Sequence, residues 1–126
     1  MPIESFRDLD VWKEGIALSL AVYRITATFP KHEVYGLSSQ LRRCAVSIPS
    51  NVAEGHARIS TKEYLRHISI ALGSLAELET QLTISQELEY TSANESADLF
   101  SSADRLGKRL RSLQKSLQAR ITRSAK

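Results

Sequence analysis

Cysteine, proline and glycine are what this 126-residue sequence uses least: one Cys, three Pro and five Gly. A lone cysteine, Cys44, excludes an intrachain disulfide framework and a cysteine-based zinc site, and it fits a reducing compartment. So few glycines and prolines exclude a many-turned β-sandwich and speak against low-complexity disorder. No apolar run approaches the roughly 20 residues needed to cross a bilayer, and the opening residues carry no basic–apolar targeting pattern. A cytoplasmic protein with no membrane partner is expected. What is present in quantity is 42% hydrophobic and 25% charged residues, enough apolar surface for one core.

The apolar residues recur at steps of 3 and 4, the period of a helix face. A first helix is expected over about 8–29, where Leu9, Trp12, Ile16, Leu20, Tyr23 and Ala27 share the face assigned to the core. Pro30 stops it, because the residue before a proline is pushed out of the helical region. A second helix follows over about 37–54 with Leu41, Cys44, Ala45, Ile48 and Val52 on one face. Pro49 lies inside that pattern and is expected to kink the helix without ending it, and Gly55 suits the position after its last turn. Capping boxes at Ser60–Glu63 and Ser92–Glu95 open a third helix over about 60–89 and a fourth over about 92–119. The remaining residues, 120–126, are expected to fray. Connections this short make consecutive helices antiparallel neighbours. The expected fold is therefore all-α: a single domain, an up-down-up-down antiparallel four-helix bundle.

Three patterns exceed what a plain bundle needs. The first helix carries a second apolar face, Val11, Leu18, Val22, Ile25 and Phe29, read as an interface for another copy of the chain. The second helix carries a polar stripe, Gln40, Arg43, Ser47, Asn51 and Glu54, read as a partly buried hydrogen-bonded network. Glu79, on the leucine face of the third helix, should join it by pairing with Arg43 or Arg42. The third pattern is electrostatic. Residues 1–58 sum to +1, residues 59–103 to −5 and residues 104–126 to +7. In that last stretch Asp104 is the only acid, against Arg105, Lys108, Arg109, Arg111, Lys115, Arg120 and Arg123. Such a face suits phosphates, in RNA or DNA, and with no aromatic residue in the stretch it should grip backbone rather than bases.

Catalytic patterns are missing. His32, His56 and His67 are scattered, no Glu-x-x-His pair offers di-iron ligands, and there is no P-loop, nucleotide-binding glycine fingerprint or nucleophile motif. No enzyme, cofactor or metal is expected, and Cys44 reads as an inert core thiol.

Two stretches carry a resemblance. Glu33-Val-Tyr-Gly-Leu-Ser-Ser-Gln-Leu-Arg-Arg43, running on to Ser47-Ile-Pro-Ser-Asn-Val-Ala-Glu-Gly55, resembles the signature of the 23S rRNA intervening-sequence proteins. Phe6-Arg-Asp-Leu-Asp-Val-Trp12 and Ile70-Ala-Leu-Gly-Ser-Leu-Ala-Glu-Leu-Glu79 are similar to that family too, so that the likeness runs over about 6–120. The resemblance implies a bacterial four-helix bundle that assembles into a ring, typically a pentamer. It also implies kinship with accessory proteins of diversity-generating retroelements, in which a basic ring meets nucleic acid and a reverse transcriptase. The function expected is a non-enzymatic oligomeric binding module for nucleic acid or a ribonucleoprotein. The alternative is a protein–protein scaffold without nucleic-acid affinity.

Overall fold

The computed structural model describes residues 5–125. It contains four helices, α1 (Asp10–Thr26), α2 (Leu37–Ala57), α3 (Thr61–Glu87) and α4 (Ala93–Ser124), with 3-10 turns at Phe6–Asp8 and Lys31–Glu33 and no strand among the described residues. Both α1 and α3 pack against α2 and α4, while the diagonal pairs do not approach one another. Numbers descend on one helix as they ascend on the next. Gly15 meets Pro49 and Ser19 meets Ala45; Gln40 meets Gln81 and Ser47 meets Ser74; Ser69 meets Gln114. This is the antiparallel four-helix bundle that the periodicity predicts.

The ends follow from local chemistry. Ser60 Oγ accepts the Glu63 N–H at 3.3 Å, while at Ser92 the full capping box forms, with Glu95 accepting the Ser92 N–H at 3.2 Å. At α2 the N-cap is Gly36, which has no side chain, so Glu33 takes over: its Oε1 accepts the Leu37 N–H at 3.1 Å. A Cβ on Gly36 would collide with that oxygen. The other Glu33 oxygen accepts the Tyr90 hydroxyl at 2.9 Å, which ties the α1–α2 turn to the α3–α4 turn. These two donors hold the Glu33 carboxyl below its ordinary range, the Leu37 N–H contributing most.

Helix bounds differ from expectation in three places. α1 is shorter than 8–29 at both ends. α4 does not fray at 120 but continues to Ser124, because Leu117 is fully buried and Ile121 half-buried against the start of α3; Lys126 lies outside the described residues. Gly55 does not follow α2 but sits buried within it, two residues before the end. A Cβ there would lie 2.8 Å from His67 Cβ and 2.9 Å from Tyr64 Cδ1, so the glycine permits the close approach of α3.

Pro49 has a partner that the sequence pattern does not reveal. α2 runs through it unbroken. Its missing N–H would orphan the Ala45 carbonyl, four residues back. Ser19 of α1 supplies the donor instead, its Oγ 3.0 Å from Ala45 O and 2.9 Å from Gly15 O, so one proton is shared. Gly15 lets the two helices come this close, since even a Cβ there would stand 3.2 Å from the Pro49 ring.

The largest correction concerns α1. Val11, Leu18, Val22, Ile25 and Phe29, read as a subunit interface, are the face buried in the monomer's own core, Val22 being 1% exposed. The face assigned to the core points outward instead: Ile16, Leu20 and Tyr23 are exposed, Leu20 by 50%, and Trp12 only half-buried. The buried row holds only wholly apolar side chains, whereas the outward one includes Trp12 and Tyr23, amphipathic rings suited to keeping a polar tip in water. Arg42 covers part of this outer face, its guanidinium 4.7 Å from the Tyr23 ring centroid and its Nε donating to Thr26 Oγ1 at 2.8 Å.

Candidate functional site

The signature residues of α2 meet α3 along a ladder of hydrogen-bonded side chains. Gln81 Nε2 donates to Gln40 Oε1 at 3.2 Å. One turn on, the Cys44 thiol donates to Glu77 Oε2 at 2.6 Å. Ser47 and Ser74 share a hydroxyl contact at 2.9 Å. Asn51 then donates Nδ2 to Ser47 O at 2.8 Å and to Ser47 Oγ at 3.1 Å. That orientation turns Asn51 Oδ1 toward His67 Nδ1, 2.9 Å away, so the ring must carry its proton on Nδ1. Glu54 Oε2 stands 3.5 Å from the same nitrogen. His67 is only 4% exposed, and its Nε2 has no partner among the described side chains.

Four of the expected network residues, Gln40, Ser47, Asn51 and Glu54, are therefore in the ladder, and two are not. Arg43 is exposed and forms no ion pair among the described residues. Glu79 forms none either: it is half-buried between α3 and α4, lining a groove of about 340 Å³ with Arg111 on the far wall. The expected Glu79–Arg43 or Glu79–Arg42 pair fails because the side chain leaves α3 toward α4, whereas both arginines belong to α2. The α3 half of the ladder, His67, Ser74, Glu77 and Gln81, is missing from the sequence-based set. Its steps of 7, 3 and 4 mirror those of the α2 stripe, a signal that was there to be read.

Burial, then the Glu77 carboxylate, pushes the Cys44 thiol up to about 12, the opposite of an activated nucleophile. No three His, Cys, Asp or Glu side chains converge as ligands among the described residues. The ladder joins two helices, with Gln40, Glu54 and Glu77 at its exposed edge.

The second candidate is α4. Arg105, Lys108, Arg109, Arg111, Lys115, Arg120 and Arg123 are all exposed. Two of them are engaged. Lys108 reaches Asp104 at 3.5 Å, and Arg109 crosses to α1, with Nε 3.0 Å from Glu14 and Nη1 3.4 Å from Asp10. Arg109 is thus a tie between helices rather than a free cation. Arg105 leans on Ser101 and Ser102 at 3.3 and 3.5 Å, which leaves its charge unmatched. Arg111 folds toward Gly107, where a Cβ would meet its guanidinium at 3.5 Å. No helix among the described residues is long and apolar enough to cross a membrane.

Residues 7–112 match the family model described as 23S rRNA-intervening sequence protein. A crystal structure from Bacteroides thetaiotaomicron, described as a protein with unknown function from the S23 ribosomal protein family, superposes with a TM-score of 0.78 at 20% identity, over 83% of this chain and 95% of that one. At that identity the likeness is one of fold. No curated protein matches the chain.

Proposed function

The chain belongs to the 23S rRNA-intervening sequence protein family, and from that premise we propose that it is a non-enzymatic binding module, assembled from several copies, whose α4 holds the phosphate backbone of RNA, DNA or a ribonucleoprotein. One observation carries the reading: Arg105, Arg111, Lys115, Arg120 and Arg123 are exposed and have no carboxylate within salt-bridge distance among the described residues. Cations left uncompensated on one helix repel one another, and a polyanion relieves that repulsion while releasing its own counterions. The absence of aromatic residues from the stretch 104–126 itself makes the binding backbone-directed and tolerant of sequence.

Assembly enters because one such row contacts only a few phosphates. Copies arranged in a ring, as a pentamer in the resemblance drawn above, multiply those contacts without any new chemistry. The surface offered for self-association is the outward row Trp12, Ile16, Leu20 and Tyr23, since an exposed apolar patch of that kind is the usual mark of a covered face.

The test is a salt titration with single- and double-stranded oligonucleotides. Affinity should fall with a slope of about −0.7 to −0.9 per phosphate neutralised, and Lys108→Glu/Arg111→Glu/Lys115→Glu should abolish binding. Failure of the wild type to bind at low salt, or equal binding by the triple variant, leaves the alternative standing: a scaffold whose α4 meets an acidic protein surface, such as that of a reverse transcriptase.

A further inference from the structure

The row along α4 is not the whole of the cationic surface. The fold brings a second basic segment, invisible in the charge count of the last quarter, to the C-terminal end of α4. Arg58 caps α2, and Lys62 and Arg66 lie on the first two turns of α3, all three exposed. Lys62 lines one wall of a groove of about 390 Å³ whose other wall is Ile121 and Ser124. One turn further into α3, Ser69 accepts from Gln114 Nε2 at 3.2 Å, which fixes the Lys62–Arg66–Ser69 row beside α4. Arg120 comes close enough to Tyr64 to act on its phenol. Arg58, Lys62 and Arg66 thus stand beside Lys115, Arg120 and Arg123 at one end of the bundle.

The acids at this end are already occupied or peripheral. Asp10 and Glu14 are spent on Arg109, and Asp8 accepts the Ser5 N–H at 3.3 Å. Glu54 faces His67. Among the described residues Glu63 alone remains, in the first turn of α3. So on the α1 side of this end Arg109 is tied to two carboxylates, whereas the cations of the α3–α4 side have no such tie among the described residues.

In the turn between Arg58 and Lys62 stands Ile59, 105% exposed. A β-branched aliphatic side chain held wholly in water within this basic segment fits a partner that supplies both phosphate and an apolar face. A nucleobase of an unpaired strand offers that face; in a duplex the base faces are stacked out of reach.

We propose that the polyanion-binding surface is this end of the bundle, Arg58, Lys62, Arg66, Lys115, Arg120 and Arg123 together with Ile59, and that its occupant is single-stranded polynucleotide. This inference rests on the reading of the chain as a phosphate-backbone binder and places that binding at one end of α4 rather than along it. The end of α4 involved spans about 12 Å from Lys115 to Arg123 at 1.5 Å per residue, room for a few phosphates.

The experiment is fluorescence anisotropy with a labelled 12-mer of mixed sequence, as single-stranded RNA, single-stranded DNA and duplex DNA, at two salt concentrations. Wild type is compared with Arg58→Glu/Lys62→Glu, with Arg58→Gln/Lys62→Gln, and with Arg105→Glu/Lys108→Glu in the middle of α4. The expected result is a loss of about tenfold or more for the Arg58/Lys62 reversals, and a smaller loss both for the glutamines and for the mid-helix pair. Single strands of either sugar should bind more tightly than duplex, and Ile59→Ser should narrow that gap. Losses confined to the mid-helix pair, or equal in both pairs, overturn the placement while keeping the binding reading. Duplex preferred over single strand overturns the occupant. No binding by wild type at low salt removes the underlying reading itself. The glutamine pair, which retains chain length and capping geometry, keeps the test decisive if the reversals fail to fold.

Discussion

The α2–α3 seam and the outer face of α4 are both rich in polar side chains, and they treat them in opposite ways. Along the seam the side chains pair across the two helices, Gln40 with Gln81, Cys44 with Glu77, Ser47 with Ser74 and Asn51 with His67, with His67 Nε2 the one buried atom of the seam left over among the described residues. On α4 the cations outnumber their partners, and among the described residues only Lys108 and Arg109 find a carboxylate. A buried polar group left unmatched is expensive, so the seam's pairing is a requirement of the fold. An exposed cation costs little to leave unmatched, so α4's surplus is free to serve an anionic partner. Polar residues packed into a family signature can thus be architecture, and the working surface can lie elsewhere.

This contrast can be broken or sharpened by experiment. The largest effect is expected at Cys44. With its thiol raised from 9.0 to about 12, the native thiolate population at pH 8 should be about a thousandfold below that of an ordinary cysteine. A disulfide reagent should label the unfolded chain at once and the native chain only through opening; rapid native labelling would mean the seam is not closed.

Next comes Gly55→Ala, which pushes a methyl into His67 and Tyr64. It should lower the unfolding free energy by about 3 kcal/mol, at the upper end for overpacking, read from the urea midpoint. Asn51→Ala strands the His67 Nδ1–H and frees Ser47, and about 2 kcal/mol should be lost. At Gly73, where a Cβ would meet nothing within 4 Å, alanine should instead raise stability by about 1 kcal/mol through helix propensity alone. The smallest change belongs to α4: Lys108→Glu/Arg111→Glu/Lys115→Glu should shift the midpoint by no more than about 0.5 kcal/mol per site. If that variant melts like Asn51→Ala, the α4 cations are structural after all and the contrast fails.

How much of this was open to the sequence depends on what each pattern encodes. Helix number and order were legible, because apolar periodicity, two serine caps and short connections each state a local rule. The two faces of α1 were not. Both repeat at helical spacing, and periodicity carries no label for which of them turns inward. Glu79 was misplaced for a related reason: a helical wheel puts it among the leucines, while the actual bundle has a groove there that admits its carboxylate. Of the α4 cations, Arg109 could not be told from its neighbours, since Asp10 and Glu14 lie about a hundred residues away in sequence and adjacent only in the fold. The contribution of Arg58, Lys62 and Arg66 is likewise a product of topology. Only an antiparallel turn brings them alongside residues near position 120.

The hydroxyl of Ser19 sets the register between the first two helices. Leucine-lined faces grip almost as well after a slip of one turn, about 5.4 Å, so hydrophobic packing alone leaves neighbouring alignments close in energy. Here a slip of α1 along α2 would move Ser19 off the Ala45 carbonyl, leaving that oxygen dry and unanswered, and would carry a bulkier side chain from α1 onto the Pro49 ring in place of Gly15. The second helix is therefore incomplete by itself and is finished by the first. Only one sliding position satisfies both, which makes proline, the residue least suited to a helix interior, the alignment mark for the bundle.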